Sequence, residues 1–192
     1  YAESDRIWSG NPNPRMVEIV SDLAPGLALD LGCGEGGDAV WLARQGWRVT
    51  AVDIAENALQ RAKELAGDLA AQIHFERHDL MKTFPAGEFD LVSAQFLHSP
   101  VPWEREVLLR RAASAVAPGG TLLIVDHGEA PPWAERIHDH VFPSAAEVLD
   151  GIALDADEWV TVRAEAASRE AQGPDGQSGH LVDNVIVLQR KR

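Results

Sequence analysis

The chain has 192 residues, a formal net charge of −13 and 45% hydrophobic residues. This length fits one domain, and the apolar fraction excludes global disorder because burial of that surface offsets the entropy of folding. The acidic balance, with no window of clustered Lys and Arg, argues against a nucleic-acid partner.

Cysteine content and hydropathy restrict the environment of the chain. Cys33 is the only cysteine, which excludes an intramolecular disulfide and a cysteine-rich zinc site and favours a reducing compartment. Apolar runs such as residues 122–125 are far shorter than the roughly 18–20 residues that a bilayer span requires. We therefore expect a cytoplasmic protein with no membrane segment and no signal peptide.

Short apolar runs alternate with amphipathic stretches, which predicts parallel strands joined by crossover helices. The first unit is a strand at residues 27–31 followed by a helix at 38–45 that Gly46 ends. The second unit is a strand at residues 48–53, after which Ala and Leu recur at helical spacing over residues 55–65.

Two further strands are predicted at residues 73–79 and 89–94. A helix at residues 103–117 then leads into an apolar strand at 121–126, whose continuous apolarity is typical of a strand covered on both faces. A short helix follows at residues 144–150.

The final strands are predicted at residues 159–169 and 181–188, and they pair antiparallel because no helix separates them. The expected fold is therefore α/β, a Rossmann-like three-layer sandwich with about seven mostly parallel strands, one antiparallel strand and helices on both faces. Residues 1–14 are too irregular for the core and are predicted to form a lid on a single domain of residues 15–192.

A glycine-rich turn at residues 32–37 joins the first strand to the first helix. Glycines permit a tight turn there and a close approach of the backbone to a ligand. Asp53 ends the second strand, 21 residues after Gly32, where a carboxylate can accept hydrogen bonds from a ribose diol. The turn and the acid together predict a nucleotide-type cofactor.

Gly32, Gly34 and Gly37 also fit the G-x-G-x-x-G pattern of nicotinamide-binding proteins, so an NAD(P)-dependent oxidoreductase is an alternative. Asp30 and Glu35 would place negative charge beside a pyrophosphate, whereas a sulfonium cofactor with an ammonium group favours such charge. The chain also has no Tyr-x-x-x-Lys proton donor. These observations favour the sulfonium cofactor.

Five short motifs along the chain resemble, in order, those of the class I S-adenosylmethionine (SAM) dependent methyltransferases. They are DLGCGEG at residues 30–36, VDI at 52–54, HDL at 78–80, FDLV at 89–92 and APGG at 117–120. The resemblance covers roughly residues 15–190 and is strongest to small bacterial enzymes of the tellurite-resistance and thiopurine methyltransferase-like type. It implies methyl transfer to an O, S, N or metalloid nucleophile of a small-molecule acceptor, by a monomer or homodimer. A SAM-binding module without catalysis is a further alternative.

The same resemblance implies a role for each matched residue. Asp30 organises the methionine ammonium, Asp53 holds the ribose, and Asp79 accepts a hydrogen bond from the adenine amino group. The remaining implied contacts line the cofactor, sandwich the adenine or lie near the methionyl end: Gly32, Cys33, Gly34, Ile54, Leu80 and Gln95. For Cys33, a purely structural role in the tight turn is an equal alternative.

Histidines that follow strand ends are the candidate catalytic residues, because ligands of such sheets bind at the carboxyl ends of the strands. An acceptor hydroxyl usually needs a general base, most often histidine. His98 and His127 are therefore candidate bases or substrate contacts, with a role as solvated loop residues as the alternative. His138 and His140 form a His-x-His pair that is weak by itself, so no metal site is predicted.

Three further residues are candidates for the lid and the substrate pocket. Arg6 and Trp8 lie in the irregular N-terminal segment, which can fold over an active site. Trp103 lies in the loop before a predicted helix, where an indole can form the wall of an apolar pocket. Packing against the core is the alternative for both tryptophans.

Overall fold

The computed structural model describes residues 10–97, 103–134, 141–173 and 176–192. The strands are β1 (Leu27–Leu31), β2 (Arg48–Asp53), β3 (Ile73–Arg77), β4 (Phe89–Gln95), β5 (Val116–His127), β6 (Trp159–Gln172) and β7 (Ser178–Arg190). The helices are α1 (Pro14–Val20), α2 (Gly37–Arg44), α3 (Glu56–Ala66), α4 (Arg105–Ser114) and α5 (Ala145–Ile152), with a 3₁₀ turn at Gly67–Gln72.

Within the described residues, seven strands form one sheet in the order β3-β2-β1-β4-β5-β7-β6. The strands from β3 to β5 pair in parallel, whereas β7 pairs antiparallel with both β5 and β6. This arrangement confirms the predicted α/β sheet with a single reversed strand. It also brings the last residues of β1, β2, β4 and β5 to one end of the sheet.

Helices cover both faces of the sheet, as predicted. Leu29 and Leu31 of β1 belong to a buried cluster that also contains residues of α4 and α5. Ala28, which alternates with them along the strand, belongs to a second cluster with residues of α1, α2 and α3. The opposite directions of neighbouring side chains thus separate the two layers of helices.

Several predicted element boundaries differ from the structure, including those of the third and fifth strands. The third strand ends at Arg77 and not at Asp79, because the Asp79 carboxylate and carbonyl accept hydrogen bonds from the backbone of Met81 and Lys82 and form a turn. Residues 118–120, which separate the predicted helix from the predicted strand at 121–126, lie inside β5, where the pairing with β4 shifts register between Phe89 and Leu91.

Helix α1 is absent from the predicted elements. Asn13 caps it by accepting a hydrogen bond from the backbone of Arg15 at 2.8 Å, and Pro14 occupies its first turn. Seven residues are too short for a clear helical periodicity. Residues 1–9 lie outside the described part of the chain, so the lid stays a prediction. No helix in the described ranges is long and apolar enough to span a membrane.

Candidate active site

The glycine-rich turn lies at the carboxyl end of β1 and is fixed to the end of β2. The backbone N–H groups of Gly32 and Cys33 both donate to the carbonyl of Val52 at 2.9 Å. The N–H of Gly34 donates to the carboxylate of Asp53, also at 2.9 Å. Gly32 and Gly34 have φ angles of 70° and 52°, a left-handed conformation that glycine adopts without strain.

The last two glycines of the turn have a packing role. A Cβ atom on Gly36 would lie 2.7 Å from the Cβ atom of Ala62 in α3. A Cβ atom on Gly37 would lie 2.6 Å from the carbonyl oxygen of Asn11. These glycines therefore allow α3 and the segment before α1 to pack directly on the turn.

Glu35 is a buried acid of the glycine turn. Its buried carboxylate forms an ion pair with Arg61 of α3 at 2.7 Å. The charge is therefore compensated within the protein, which weakens the argument from Glu35 against a pyrophosphate. The argument that Asp30 would repel a pyrophosphate does not depend on the ion pair of Glu35.

Asp30 is a buried acid that lacks a full set of partners. Its side chain is 2% exposed, and its Oδ2 atom has no hydrogen-bond partner among the described residues. Burial raises the pKa of Asp30 well above 3.8, and the negative charges of Asp38 and Asp53 raise it further. A cation bound here would relieve both effects, because it would compensate charge in a poorly solvated place.

Asp38 completes this group of three carboxylates, which we call the acidic cluster (Asp30, Asp38 and Asp53). Its Oδ1 atom accepts a hydrogen bond from the backbone N–H of Asn13 at 2.6 Å. Burial raises the pKa of Asp38 from 3.8 to about 6. Asp38 was not among the predicted site residues, since an acid in the first turn of a helix is common for electrostatic reasons alone.

The residues predicted to hold the adenine lie beside one another after β2 and β3. The N–H of His78 donates to the carbonyl of Asp53 at 3.1 Å, which fixes this arrangement. Leu80 is buried, whereas Ile54 is 58% exposed and presents an apolar surface. The Asp79 carboxylate pairs with the exposed Lys82 at 2.8 Å, and that hydrogen bond lowers the pKa of Asp79.

Gln95 lies at the end of β4, next to the glycine turn. Its amide nitrogen donates to the Ser93 hydroxyl at 3.1 Å, while its buried Oε1 atom has no hydrogen-bond partner among the described residues. A Cβ atom on Gly32 would lie 2.6 Å from a methyl carbon of Leu97. The chain after β4 therefore passes directly against the glycine turn.

His127 ends β5 on the other side of β4. Its imidazole ring lies 4.4 Å from the ring of Phe96 and 5.5 Å from that of Phe142, measured between ring centres. Burial lowers the pKa of His127 below its ordinary value of 6.5, although the charges of Asp183 and Asp126 act in the opposite direction. The imidazole is therefore neutral at pH 7 and able to accept a proton.

Several predicted site residues are not among those that the structure describes. Arg6, Trp8, His98, His138 and His140 lie outside the described ranges. Trp103 is partly buried against the core cluster that contains α4 and α5, so its place in a substrate pocket stays a prediction.

The free thiol of Cys33 has a pKa that burial raises well above its ordinary value. The thiol therefore stays protonated at pH 7 and is a poor nucleophile. Within the ranges that the structure describes, no group of three His, Cys, Asp or Glu side chains is arranged to hold a metal ion.

Besides Asp38, two residues of this region were not predicted from the sequence. Asp183 is fully buried in β7 and pairs with Arg15 at 3.3 Å and Arg169 at 2.6 Å. An acid within an apolar strand is a recognisable signal of such a buried ion pair. Phe96 has a left-handed backbone with a φ of 47°, and nothing in the sequence indicates this conformation.

Residues 28–120 match a protein family described as a methyltransferase domain. This region contains the glycine turn, all three residues of the acidic cluster, and Gln95. The chain belongs to the class I SAM-dependent methyltransferases. The methyl donor of this family is SAM, which carries a positively charged ammonium and a positively charged sulfonium group. Buried acids suit such a cofactor, as do the side-chain oxygens of Asp30 and Gln95 that lack hydrogen-bond partners among the described residues.

Named relatives support this placement in the methyltransferases. A 2-heptyl-1-hydroxyquinolin-4(1H)-one methyltransferase from Mycobacteroides abscessus is 30% identical over 149 residues, 74% of this chain and 66% of that protein. A ribosomal RNA small subunit methyltransferase C from Alcanivorax borkumensis is 30% identical over 122 residues, 61% of this chain and 38% of that protein. The chain thus spans between about two fifths and two thirds of the length of these curated relatives.

Among solved structures, TehB from Haemophilus influenzae has the same methyltransferase fold. The TM-score is 0.72 at 19% identity, over 94% of this chain and 62% of that one. Together with the matched family, this similarity confirms the resemblance to the class I methyltransferases. The nicotinamide oxidoreductase alternative receives no support from these matches.

Proposed function

We propose that this chain transfers a methyl group from SAM to a small-molecule acceptor. The observation that carries the proposal is the acidic cluster beside the glycine turn, in which the buried Asp30 has an oxygen without a partner among the described residues. A positively charged cofactor is the ligand that such a site stabilises.

The proposed cofactor contacts follow the cleft along the carboxyl ends of the strands. Asp30 and Gln95 hold the methionyl part, Asp53 holds the ribose, and the backbone at Gly32 and Gly34 approaches the cofactor closely. The segment of Ile54, Asp79 and Leu80 holds the adenine. Bound SAM supplies an electrophilic methyl group, so the protein chiefly has to orient the acceptor in line and exclude water.

A small-molecule acceptor is favoured over RNA. One of the matched relatives is named for a small heterocyclic compound and another for ribosomal RNA. A net charge of −13 opposes binding to a phosphate backbone, since that binding depends on neutralisation by Lys and Arg. A cytoplasmic location is proposed from the free thiol of Cys33, and the active form is proposed to be a monomer or homodimer.

Calorimetric titration with SAM, S-adenosylhomocysteine and NADH tests the proposal. We expect SAM and S-adenosylhomocysteine to bind and NADH not to bind. The Asp30→Asn variant should bind SAM at least about tenfold more weakly, which corresponds to a loss of about 1.4 kcal/mol of binding free energy. Asp157→Asn, which changes an exposed acid, should bind normally. Absence of SAM binding would contradict the proposal, and binding without turnover of any acceptor would favour the non-catalytic module.

A further inference from the structure

Three aromatic rings meet at the carboxyl ends of β4 and β5. Phe96 follows β4 directly, His127 ends β5, and Phe142 precedes α5. The imidazole contacts both phenyl rings, with centres 4.4 Å and 5.5 Å away, within the range of aromatic pairs. We call these residues the aromatic wall.

The backbone of Phe96 shows that the wall is held in a conformation of high energy. Its φ of 47° lies in the left-handed region, which costs a non-glycine residue roughly 1–3 kcal/mol and occurs most often at functional sites. The N–H of Phe96 donates to the carbonyl of Val125 at 2.7 Å, so pairing with β5 maintains the conformation. Leu97 meanwhile packs on Gly32, so the wall begins beside the proposed cofactor cleft.

Charged groups surround His127 from three strands. Asp126 lies on β5, Asp183 lies opposite His127 on β7, and Arg169 lies on β6. The two acids favour a protonated imidazole, while burial and Arg169 favour the neutral ring. This combination suits a group that begins neutral and gains a proton during the reaction.

Two cations near the wall, among the residues that the structure describes, are already paired. Arg105 donates to both carboxylate oxygens of Asp126 at 2.6 and 2.7 Å. Arg169 donates to Asp183 at 2.6 Å. An anionic acceptor would therefore meet guanidinium groups whose charge is compensated, next to two buried acids. The described part of the site favours a neutral acceptor with an apolar surface.

We propose that Phe96, His127 and Phe142 form the acceptor subsite, and that it takes a neutral, planar aromatic compound whose hydroxyl proton passes to His127. This inference rests on the proposed function, since it specifies the acceptor of the same methyl transfer. It disfavours carboxylates and metalloid oxyanions as acceptors.

The proposed step balances in atoms and charge. The acceptor oxygen forms a bond to the methyl carbon while the carbon–sulfur bond breaks and its electron pair stays on sulfur. The hydroxyl proton passes to an imidazole nitrogen of His127. The product is a neutral methyl ether, and the positive charge moves from the sulfonium to the imidazolium, which later releases the proton to water.

Binding and turnover of three matched probes test the acceptor class: 2-naphthol, 2-naphthoate and 2-naphthalenethiol. Calorimetry in the presence of saturating S-adenosylhomocysteine should show binding of 2-naphthol and none of 2-naphthoate. With SAM, 2-naphthol should give its methyl ether. Tighter binding of the carboxylate than of 2-naphthol, or no binding of 2-naphthol by a protein that binds SAM, would overturn the inference while leaving the proposed function intact.

Variants of the wall separate proton transfer from packing. His127→Ala should lower the rate with 2-naphthol by roughly 10²–10⁴-fold, yet keep most of the rate with 2-naphthalenethiol, whose thiolate forms without a base. Equal loss with both probes, or no loss with 2-naphthol, would overturn the role of His127. His74→Ala, which changes a histidine with a side chain 75% exposed on β3, is the matched control and should keep both rates.

The Phe96→Gly variant removes one ring of the aromatic wall. It introduces no backbone strain, because glycine adopts a positive φ readily. We expect weaker binding of 2-naphthol in calorimetry and unchanged binding of SAM. Unchanged binding of 2-naphthol would contradict the proposed subsite, and a loss of SAM binding would place Phe96 at the cofactor instead.

Discussion

Asp53 accepts a hydrogen bond from the backbone N–H of Gly34 at 2.9 Å through one carboxylate oxygen. Its second oxygen accepts from the N–H of Ala55 at 2.8 Å. The acid that is proposed to hold the ribose therefore also fixes the glycine turn and the start of α3. The Asp53 side chain thus holds two parts of the proposed cofactor cleft in place in the absence of the cofactor.

Replacement of this acid tests both roles. Asp53→Ala should weaken SAM binding by more than about tenfold, because the turn loses its anchor and the ribose its partner. Asp53→Asn keeps one acceptor oxygen, so its stability should lie closer to that of the wild type while SAM binding stays weak. Calorimetry gives the affinities and urea denaturation the stabilities. An alanine variant with normal SAM affinity would exclude Asp53 from the cofactor site.

The Asp38→Asn variant should be more stable than the wild type at pH 7.5 in the absence of cofactor. A pKa raised from 3.8 to about 6 means that ionisation of this buried acid opposes folding, at an upper limit of about 3 kcal/mol. Because the folded state holds its proton more tightly, this cost appears as pH rises from 3.8 to about 6 and is absent below that range. Asparagine keeps an acceptor for the N–H of Asn13.

Thermal unfolding of both proteins between pH 4 and pH 8 measures this effect. The stability advantage of Asp38→Asn should grow between pH 4 and pH 6 and then remain constant. An advantage that is equal at all pH values would show that the charge of Asp38 is not its cause.

Two glycines with similar backbones separate strain from packing. Gly36 and Gly176 have φ angles of 86° and 80°. A Cβ atom on Gly36 would overlap Ala62, whereas a Cβ atom on Gly176 would have no neighbour within 4 Å among the described residues. Gly176→Ala should cost roughly 1–2 kcal/mol for the left-handed conformation. Gly36→Ala should cost about 3 kcal/mol or more, because overlap with α3 is added.

Urea denaturation of both variants gives this comparison directly. Equal losses would mean that α3 moves aside at little cost and that packing on the glycine turn is loose.

Removal of a buried cation near the aromatic wall should be costly. Arg105→Met leaves Asp126 charged and only 3% exposed, and loss of one partner of a buried pair typically costs about 3 kcal/mol or more. The Arg105→Met/Asp126→Leu double variant should recover much of that loss. Lys82→Met, which breaks the exposed pair with Asp79, is the control and should leave stability unchanged. A small loss in the single variant would show that other contacts or water compensate the charge of Asp126.

The sheet and most of its strands could be predicted because buried parallel strands produce apolar runs between helical patterns. Asp53 and the glycines were found from spacing, since the turn needs glycine and the acid follows a strand end, whereas the role of Asp30 was implied by the resemblance to the methyltransferases. Helix α1 was missed because seven residues give too short a pattern. The signals of this helix in the sequence are its N-cap, Asn13, and Pro14 in its first turn.

The electrostatic details depend on contacts between distant segments. The ion pair of Glu35 was not predicted because its partner, Arg61, is 26 residues away. The aromatic wall was only partly predicted, through His127, because the conformation of Phe96 arises from its pairing with β5. Such contacts follow from the tertiary structure and leave no local pattern.

The reversed direction of β7 lets a late part of the chain contribute to the proposed site. Because β7 runs against its neighbours, its early residue Asp183 reaches the same end of the sheet as His127. The proposed cofactor contacts all lie in residues 30–95, whereas the acceptor side draws mostly on residues 126–184. We therefore expect changes in the later segment to alter the choice of acceptor, while the segment proposed to bind the methyl donor keeps its function.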